Sequence, residues 1–311
     1  MDTTLRDGEQ TSGVSFAAQE KVSVVSLLLE ELKVDRVEIA SARVSEGEFR
    51  SVQKMAKWAA AHGYLDRLEV LGFVDGGTSL EWISNAGCRV VNLLCKGSLK
   101  HCTWQLRKTV EEHLADVKKT IAMAKEKAMR VNLYLEDWSN GMRDSKEYVF
   151  QMMDGLKDEP VTRFMLPDTL GVLNPDEAYQ FCSEMIARYP SLHFDFHAHN
   201  DYDLAVANVY NALKAGVKGV HVTVNGLGER AGNAPLTSVV ALIHDHLELE
   251  TGIDESHLYN VSKVVETYSG VRIPKNRPII GDNVFTQVAG VHADGDKKKN
   301  LYYNDLMPER F

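Results

Sequence analysis

The chain has 311 residues, 44% of them apolar and 25% charged, the balance of a soluble globular protein long enough to bury a large core. Thirty-five lysines and arginines against 44 acids leave a formal charge of −9, which argues against the broad basic face that nucleic-acid binding needs. No run of about 18 apolar residues offers a membrane span, no signal peptide precedes the polar opening, and four cysteines without a CxxC pair fit a reducing cytosol.

The chain opens on Asp2-Thr3-Thr4-Leu5-Arg6-Asp7-Gly8-Glu9-Gln10, a run without apolar periodicity. Arg6 offers a fork for a carboxylate and Asp7 a hard ligand for a metal, beside a permissive glycine. The same residues would also make a charged surface turn. With almost nothing ahead of this run, the strand that should position Arg6 is expected to be curtailed.

Residues 17–32 carry Val22, Val25, Leu28, Leu29 and Leu32 at the spacing of a helix with one buried face. A strand is predicted over 34–40, and short strands and helices then alternate. Strands fall near 68–73, 90–95, 131–136, 163–166, 193–199 and 219–225. Helices follow Leu80, Val110, Ser145, Pro175, Leu204 and Pro235. Counting the curtailed first strand, this makes eight strand-helix units by about residue 248, and strict alternation of that number predicts a closed (β/α)8 TIM barrel over residues 1–248. Residues 249–311 break the pattern and read as an appended subdomain too small to hold a core alone.

A strand's period of two separates its faces. Val37, Ile39, Val91, Leu93, Val131, Leu133, Leu135, Phe194, Phe196, Val220, Val222 and Val224 should point out toward helices. Glu38, Asn92, Asn132, Glu136, His193, Asp195, His197, His199, His221, Thr223 and Asn225 should point in. So many polar groups are costly to bury unless they serve one another, water or a ligand.

His197-Ala198-His199 places two imidazoles on one face at a strand's C-terminal end, which suits a metal; a satisfied pair of core histidines is the alternative. His244-Asp245-His246 has the same spacing on a helix, where the side chains diverge. Asn233, before Ala234-Pro235, has the position of a helix N-cap. At the same mouth it also offers an oxygen that would complete Asp7, His197 and His199 as a mixed nitrogen and oxygen set. Glu136 ends a strand with Tyr134 below it, as an acid or base or as the partner of a structural arginine. Gly226-Leu227-Gly228-Glu229-Arg230-Ala231-Gly232 matches a dinucleotide fingerprint but sits on the last strand, which keeps an NAD-dependent oxidoreductase only as an alternative. Lys297-Lys298-Lys299 reads as a solvated loop.

Three motifs in this order, Thr4-Leu5-Arg6-Asp7-Gly8-Glu9-Gln10, His197-Ala198-His199-Asn200-Asp201 and Gly226–Asn233, resemble the DRE-TIM metallolyase superfamily. Within it the chain looks like the acetyl-CoA-dependent isopropylmalate, homocitrate and citramalate synthases. The stretches 34–43 and 135–141 most resemble citramalate synthases of the spirochaete type. No cysteine stands in the glycine loop, which points away from the lyase branch.

The resemblance implies a divalent metal (zinc, manganese, magnesium or cobalt) on Asp7, His197, His199 and Asn233, with acetyl-CoA as co-substrate. Arg6 would stabilise developing negative charge and Glu136 would take part in proton transfer. Leu71, Leu94 and Tyr134 would line the pocket for the 2-oxo acid side chain, with Thr169 as a further substrate contact. The bulk of Leu94 and Tyr134 favours pyruvate over 2-oxoisovalerate, so (R)-citramalate formation leads, with 2-isopropylmalate synthase and homocitrate or Re-citrate synthase as alternatives. His292 and Tyr302 would act in trans in a homodimer, in the cytoplasm, with no nucleic acid or membrane as partner. The chain stops at Phe311, before the regulatory domain common in such synthases. Feedback by leucine or isoleucine is therefore not expected, and a catalytically weak fragment is the non-enzyme alternative.

Overall fold

A computed structural model describes residues 1–299, 304, 306 and 308–311. Its framework is a single parallel sheet in sequence order: β1 (Val37–Ser41), β2 (Leu68–Phe73), β3 (Val90–Lys96), β4 (Arg130–Glu136), β5 (Val161–Asp168), β6 (Phe194–Ala198) and β7 (Gly219–His221). The ring is closed by the first residues of the chain, because Asp2 forms parallel bridges to both Val37 and Val222. The Asp2 amide donates to the Arg36 carbonyl at 2.9 Å and the Thr3 amide to that of Val222 at 2.9 Å. The opening residues thus take the place of the eighth stave of a TIM barrel.

Helices alternate with the strands on the outside: α1 (Ala18–Ser26), α2 (Glu46–His62), α3 (Thr78–Asn85), α4 (Val110–Glu126), α5 (Trp138–Asp144), α6 (Lys146–Leu156), α7 (Pro175–Arg188), α8 (Ala205–Ala215) and α9 (Leu236–Leu247). Local chemistry sets several starts. Thr109 and Glu112 form a capping box on α4, and Asn174 and Glu177 another on α7, with Pro175 in the first turn where its missing N–H costs nothing. Val25, Leu28, Leu29 and Leu32, on the predicted buried face, join one core with Val37, Ile39, Leu93, Leu133 and Phe196 from the outer faces of the strands.

After α9 come α10 (Leu258–Ser269) and α11 (Gly290–Lys299). Leu258, Val261 and Val265 of α10 pack into the barrel core itself. The last residues fold back on α9 and α10: Arg310 pairs with Asp245 and Glu255, and the Tyr259 amide reaches the Phe311 carbonyl.

The barrel interior is polar. Asn132 donates to Asn92 and Asn92 to Glu38, both at 2.8 Å, while Arg36 joins Glu69 to Asp195 at the lower end. His221 lies between Asp195 (3.2 Å) and the Tyr134 hydroxyl (3.1 Å), and burial pushes its imidazole down to about 3, so it is neutral with one nitrogen donating and one accepting. Asn225 departs from the expectation. β7 ends at His221, the chain turns at Val224–Gly226 with Asn225 at φ 59°, and its amide leaves the barrel to donate to the Ser262 carbonyl.

Candidate active site at the barrel mouth

The opening run is held by its own polar side chains. Asp2 accepts from the Thr4 amide and hydroxyl at 2.9 Å, Thr4 accepts from the Val224 amide at 2.8 Å, and Thr3 donates to Glu38 at 2.8 Å. Arg6 and Asp7 therefore stand on a short but fully bonded base. Arg6 spans three partners, Glu38 at 2.6 Å, Asp7 at 3.1 Å and the Tyr134 hydroxyl at 3.3 Å.

Asp7 meets the histidines predicted to share its site. Its Oδ2 lies 3.3 Å from His197 Nε2 and 3.6 Å from His199 Nε2, and all three side chains are buried. Burial alone would raise the Asp7 carboxyl, but the Arg6 guanidinium and the two imidazoles outweigh it and hold the group well below the usual carboxylate range. Burial pushes His199 down to about 4, leaving the neutral, ligating form at neutral pH.

Asn233 joins this cluster. It bridges His199 across the strand ends, and α9 begins only at Leu236 with Pro235 in the N-cap position, so Asn233 is not a helix cap. Its Nδ2 donates to the Leu227 carbonyl at 3.0 Å, which leaves Oδ1 buried and unpartnered. Asp7 Oδ1 and the Nδ1 atoms of His197 and His199 are also buried without partners among the described residues. Native interiors seldom orphan polar atoms. Two imidazoles, a carboxylate and an amide oxygen, with the first three donors within 4.8 Å of one another, fit a divalent cation.

The glycine loop packs closely against this cluster. A Cβ on Gly228 would fall 2.1 Å from Asn233 Nδ2 and 3.3 Å from Asp7 Oδ1, and one on Gly232 would meet the Gly226 carbonyl at 1.9 Å. Arg230 ties the loop to Asp201 at 2.8 Å and to the Thr169 carbonyl at 2.7 Å. Gly228→Ala should therefore displace Asn233 and lower divalent-metal affinity while the barrel stays folded. Calorimetric titration of metal would check this, and unchanged affinity would reject the packing argument.

Above the cluster opens a cavity of about 290 Å³. Arg6, Asp7, Leu71, Leu94, Tyr134, Glu136, Thr169, His197 and His199 all line it, and Asn233 is not among the lining residues. One wall is apolar, with Leu71, Tyr134, Phe73 and Leu94 packed as a cluster separate from the main core. His292 sits on α11 and is not among the cavity-lining residues, and Tyr302 lies outside the described residues. Sequence reasoning missed Phe73, two residues past Leu71 on the same face of β2, and Ser41 at the end of β1. It also missed Lys96, which pairs with Glu136 where an arginine had been the alternative. Strand alternation carried through to every strand end would have found Phe73 and Lys96, whereas Ser41 reaches the cavity only through the register shift between Glu38 and Ala40 that breaks the alternation of β1.

The HMGL-like family model matches residues 1–265. The chain belongs to the HMGL-like family. Among curated relatives of this HMGL-like chain, the (R)-citramalate synthase of Methanocaldococcus jannaschii is 36% identical over 99% of the chain and 61% of the relative. The 2-isopropylmalate synthase of Acetivibrio thermocellus is 36% identical over 99% of the chain and 60% of the relative. The chain thus spans about 60% of the length of these relatives. A solved hydroxymethylglutaryl-CoA lyase from Pseudomonas aeruginosa superposes with a TM-score of 0.67 at 18% identity, covering 88% of this chain and 93% of that one, which establishes a shared fold. Among the described residues no helix is long and apolar enough to cross a membrane.

Proposed function

We propose that this chain condenses the methyl carbon of acetyl-CoA with the keto carbon of a 2-oxo acid, pyruvate in preference, giving (R)-citramalate and free CoA thiol. The observation that carries the reading is the cavity itself. Asp7, His197 and His199 converge at its floor with the unpartnered Asn233 Oδ1 buried behind them, Arg6 and Glu136 flank it, and Leu71, Phe73, Leu94 and Tyr134 form its apolar wall. The names of the curated relatives support the same class of acyl transfer.

Asp7, His197, His199 and Asn233 would hold a divalent metal, which when bound supplies a Lewis acid to a chelated 2-oxo acid. Arg6, fixed by Glu38 and the Tyr134 hydroxyl, donates to the keto oxygen as negative charge grows on it. Glu136 takes a proton from the thioester methyl group, and the electron pair of that C–H bond forms the new carbon–carbon bond to the keto carbon. The resulting alkoxide takes a proton, and water then cleaves the thioester, releasing CoA thiol. Thr169 contributes at the cavity rim, where its hydroxyl accepts from the Asp137 amide at 2.9 Å.

Within residues 249–311, α10 stays in this chain's own core, and the part around α11 is read as reaching a partner subunit, with His292 and Tyr302 acting in trans in a homodimer. Val288 and Val291, 89% and 72% exposed on the single chain, support a covered position for this segment. Four buried free cysteines support a cytoplasmic enzyme.

The test is thiol release from acetyl-CoA against pyruvate, 2-oxoisovalerate, 2-oxoglutarate and oxaloacetate in metal-replete protein. Pyruvate should lead 2-oxoisovalerate in kcat/KM, since a methylene too many in a filled pocket costs roughly 10- to 200-fold. Faster turnover of 2-oxoisovalerate would make the chain a 2-isopropylmalate synthase, and release with none of the four would reject condensation.

A further inference from the structure

We infer that Lys96 is a positioning residue for the proton acceptor: it grips one oxygen of Glu136 and leaves the other aimed at the substrate methyl group. The inference rests on the condensation reading above. Lys96 ends β3 and Glu136 ends β4, and the two are register partners, two residues beyond the Leu94 and Tyr134 pair that forms the apolar wall. The Lys96 ammonium engages Glu136 Oε2. Among the described residues neither side chain has another hydrogen-bond or ion-pair partner, so Oε1 is left to accept the proton.

The lysine is anchored from outside the barrel. Its amide donates to His113 Nε2 at 3.0 Å and its carbonyl accepts from the Tyr148 hydroxyl at 2.9 Å, two buried side chains on α4 and α6. Burial pushes His113 down to about 4, which keeps the imidazole neutral and able to accept. The following residue must be glycine. A Cβ on Gly97 would lie 2.4 Å from the Leu135 carbonyl oxygen, and the Gly97 amide donates to the Glu136 carbonyl at 2.6 Å. Asp137, next to Glu136, is held by Ser98 at 2.7 Å and by Thr169. The main chain at both residues is thus fixed, and the ammonium of a lysine only 7% exposed is spent on a carboxylate at the cavity. A buried cation needs such a partner; here the partner carboxylate, Glu136, is the one that lines the cavity, which makes the pairing useful to proton transfer.

In the step assigned to Glu136, the methyl C–H bond breaks, its proton passes to Oε1, and its electron pair forms the carbon–carbon bond. Oε2 stays on Lys96 throughout. A freely rotating carboxylate would reach the methyl group in a fraction of its orientations.

The experiment compares wild type, Lys96→Met, Lys96→Arg, Glu136→Gln and the Lys96→Met/Glu136→Gln double variant of the full chain. Thiol release is followed with ordinary and methyl-deuterated acetyl-CoA. Lys96→Met should lower kcat about 100-fold, within the range that general-base catalysis contributes, with little change in KM for the 2-oxo acid. It should also raise the deuterium isotope effect on kcat, because proton transfer becomes the slow step. Lys96→Arg should recover activity to within about tenfold of wild type, and Lys96→Met should add little to Glu136→Gln, as for residues acting as one unit. Wild-type kcat in Lys96→Met, an unchanged isotope effect, or full additivity with Glu136→Gln would each overturn the positioning role. A wild-type chain that releases thiol with none of the four acids removes the condensation reading itself, whereas an active wild type with a silent Lys96→Met removes only this inference.

Discussion

Replacing His197 with alanine is expected to strip the chain of divalent metal and to lower turnover by more than the roughly 10- to 100-fold that loss of an outer partner of a ligand costs. The imidazole stands 3.3 Å from Asp7 and is buried, so its removal opens one corner of a four-donor cluster whose other members are fixed. His199 and Asn233 are tied together across the strand ends, and Asp7 keeps its salt bridge to Arg6, so the fold should survive. Elemental analysis reads the outcome directly. Thermal unfolding gives a second measure, because a metal at 100 times its Kd stabilises the native state by about 2.7 kcal/mol. That metal-dependent gain should vanish in the variant. Unchanged metal content would reject the ligand set.

Arg6→Leu should cost about 3–5 kcal/mol of stability, the usual penalty for leaving one partner of a buried ion pair alone. Glu38 is fully buried and the Arg6 guanidinium is its cationic partner at 2.6 Å, so the variant strands a carboxylate in the barrel. Adding Glu38→Leu should return part of the loss, since two apolar side chains replace a pair that no longer needs solvation; urea unfolding of both variants measures the difference. Arg6→Lys should restore little activity. A single ammonium cannot present the fork that meets Glu38, Asp7 and the Tyr134 hydroxyl together. In the proposed reaction the loss of a donor at the developing oxyanion adds about 10²- to 10³-fold in kcat. A stable Arg6→Leu variant with wild-type turnover would contradict both roles.

The metal cluster and the mouth were legible because a strand's alternation and a barrel's polarity of function act over short distances along the chain. His197 and His199 share a face by period alone, and Glu136 stands at a strand end by counting. Asn233 was not decided in this way. Before Ala234-Pro235 it has the local form of a helix cap, and only the bend that delays α9 to Leu236 turns its amide to the cluster. Asn225 failed in the opposite sense, since alternation extended β7 through a turn with positive φ that carries the side chain out to Ser262. Lys96 was passed over because the pairing that gives it meaning lies between two strands whose register no single stretch encodes.

Periodicity in the sequence determined the eight-unit barrel, its polar interior and, at the cavity, Tyr134, Glu136, His197 and His199, because each depends on neighbours a few positions away, whereas Leu71, Leu94 and Thr169 came from the family resemblance. Tertiary structure alone decided which contact closes the ring. Asp2 bridges Val37 and Val222, 35 and 220 residues distant, and on that contact rest Arg6 and Asp7. It also decided which buried donors are left without partners, since satisfaction of a polar atom is a property of everything packed around it.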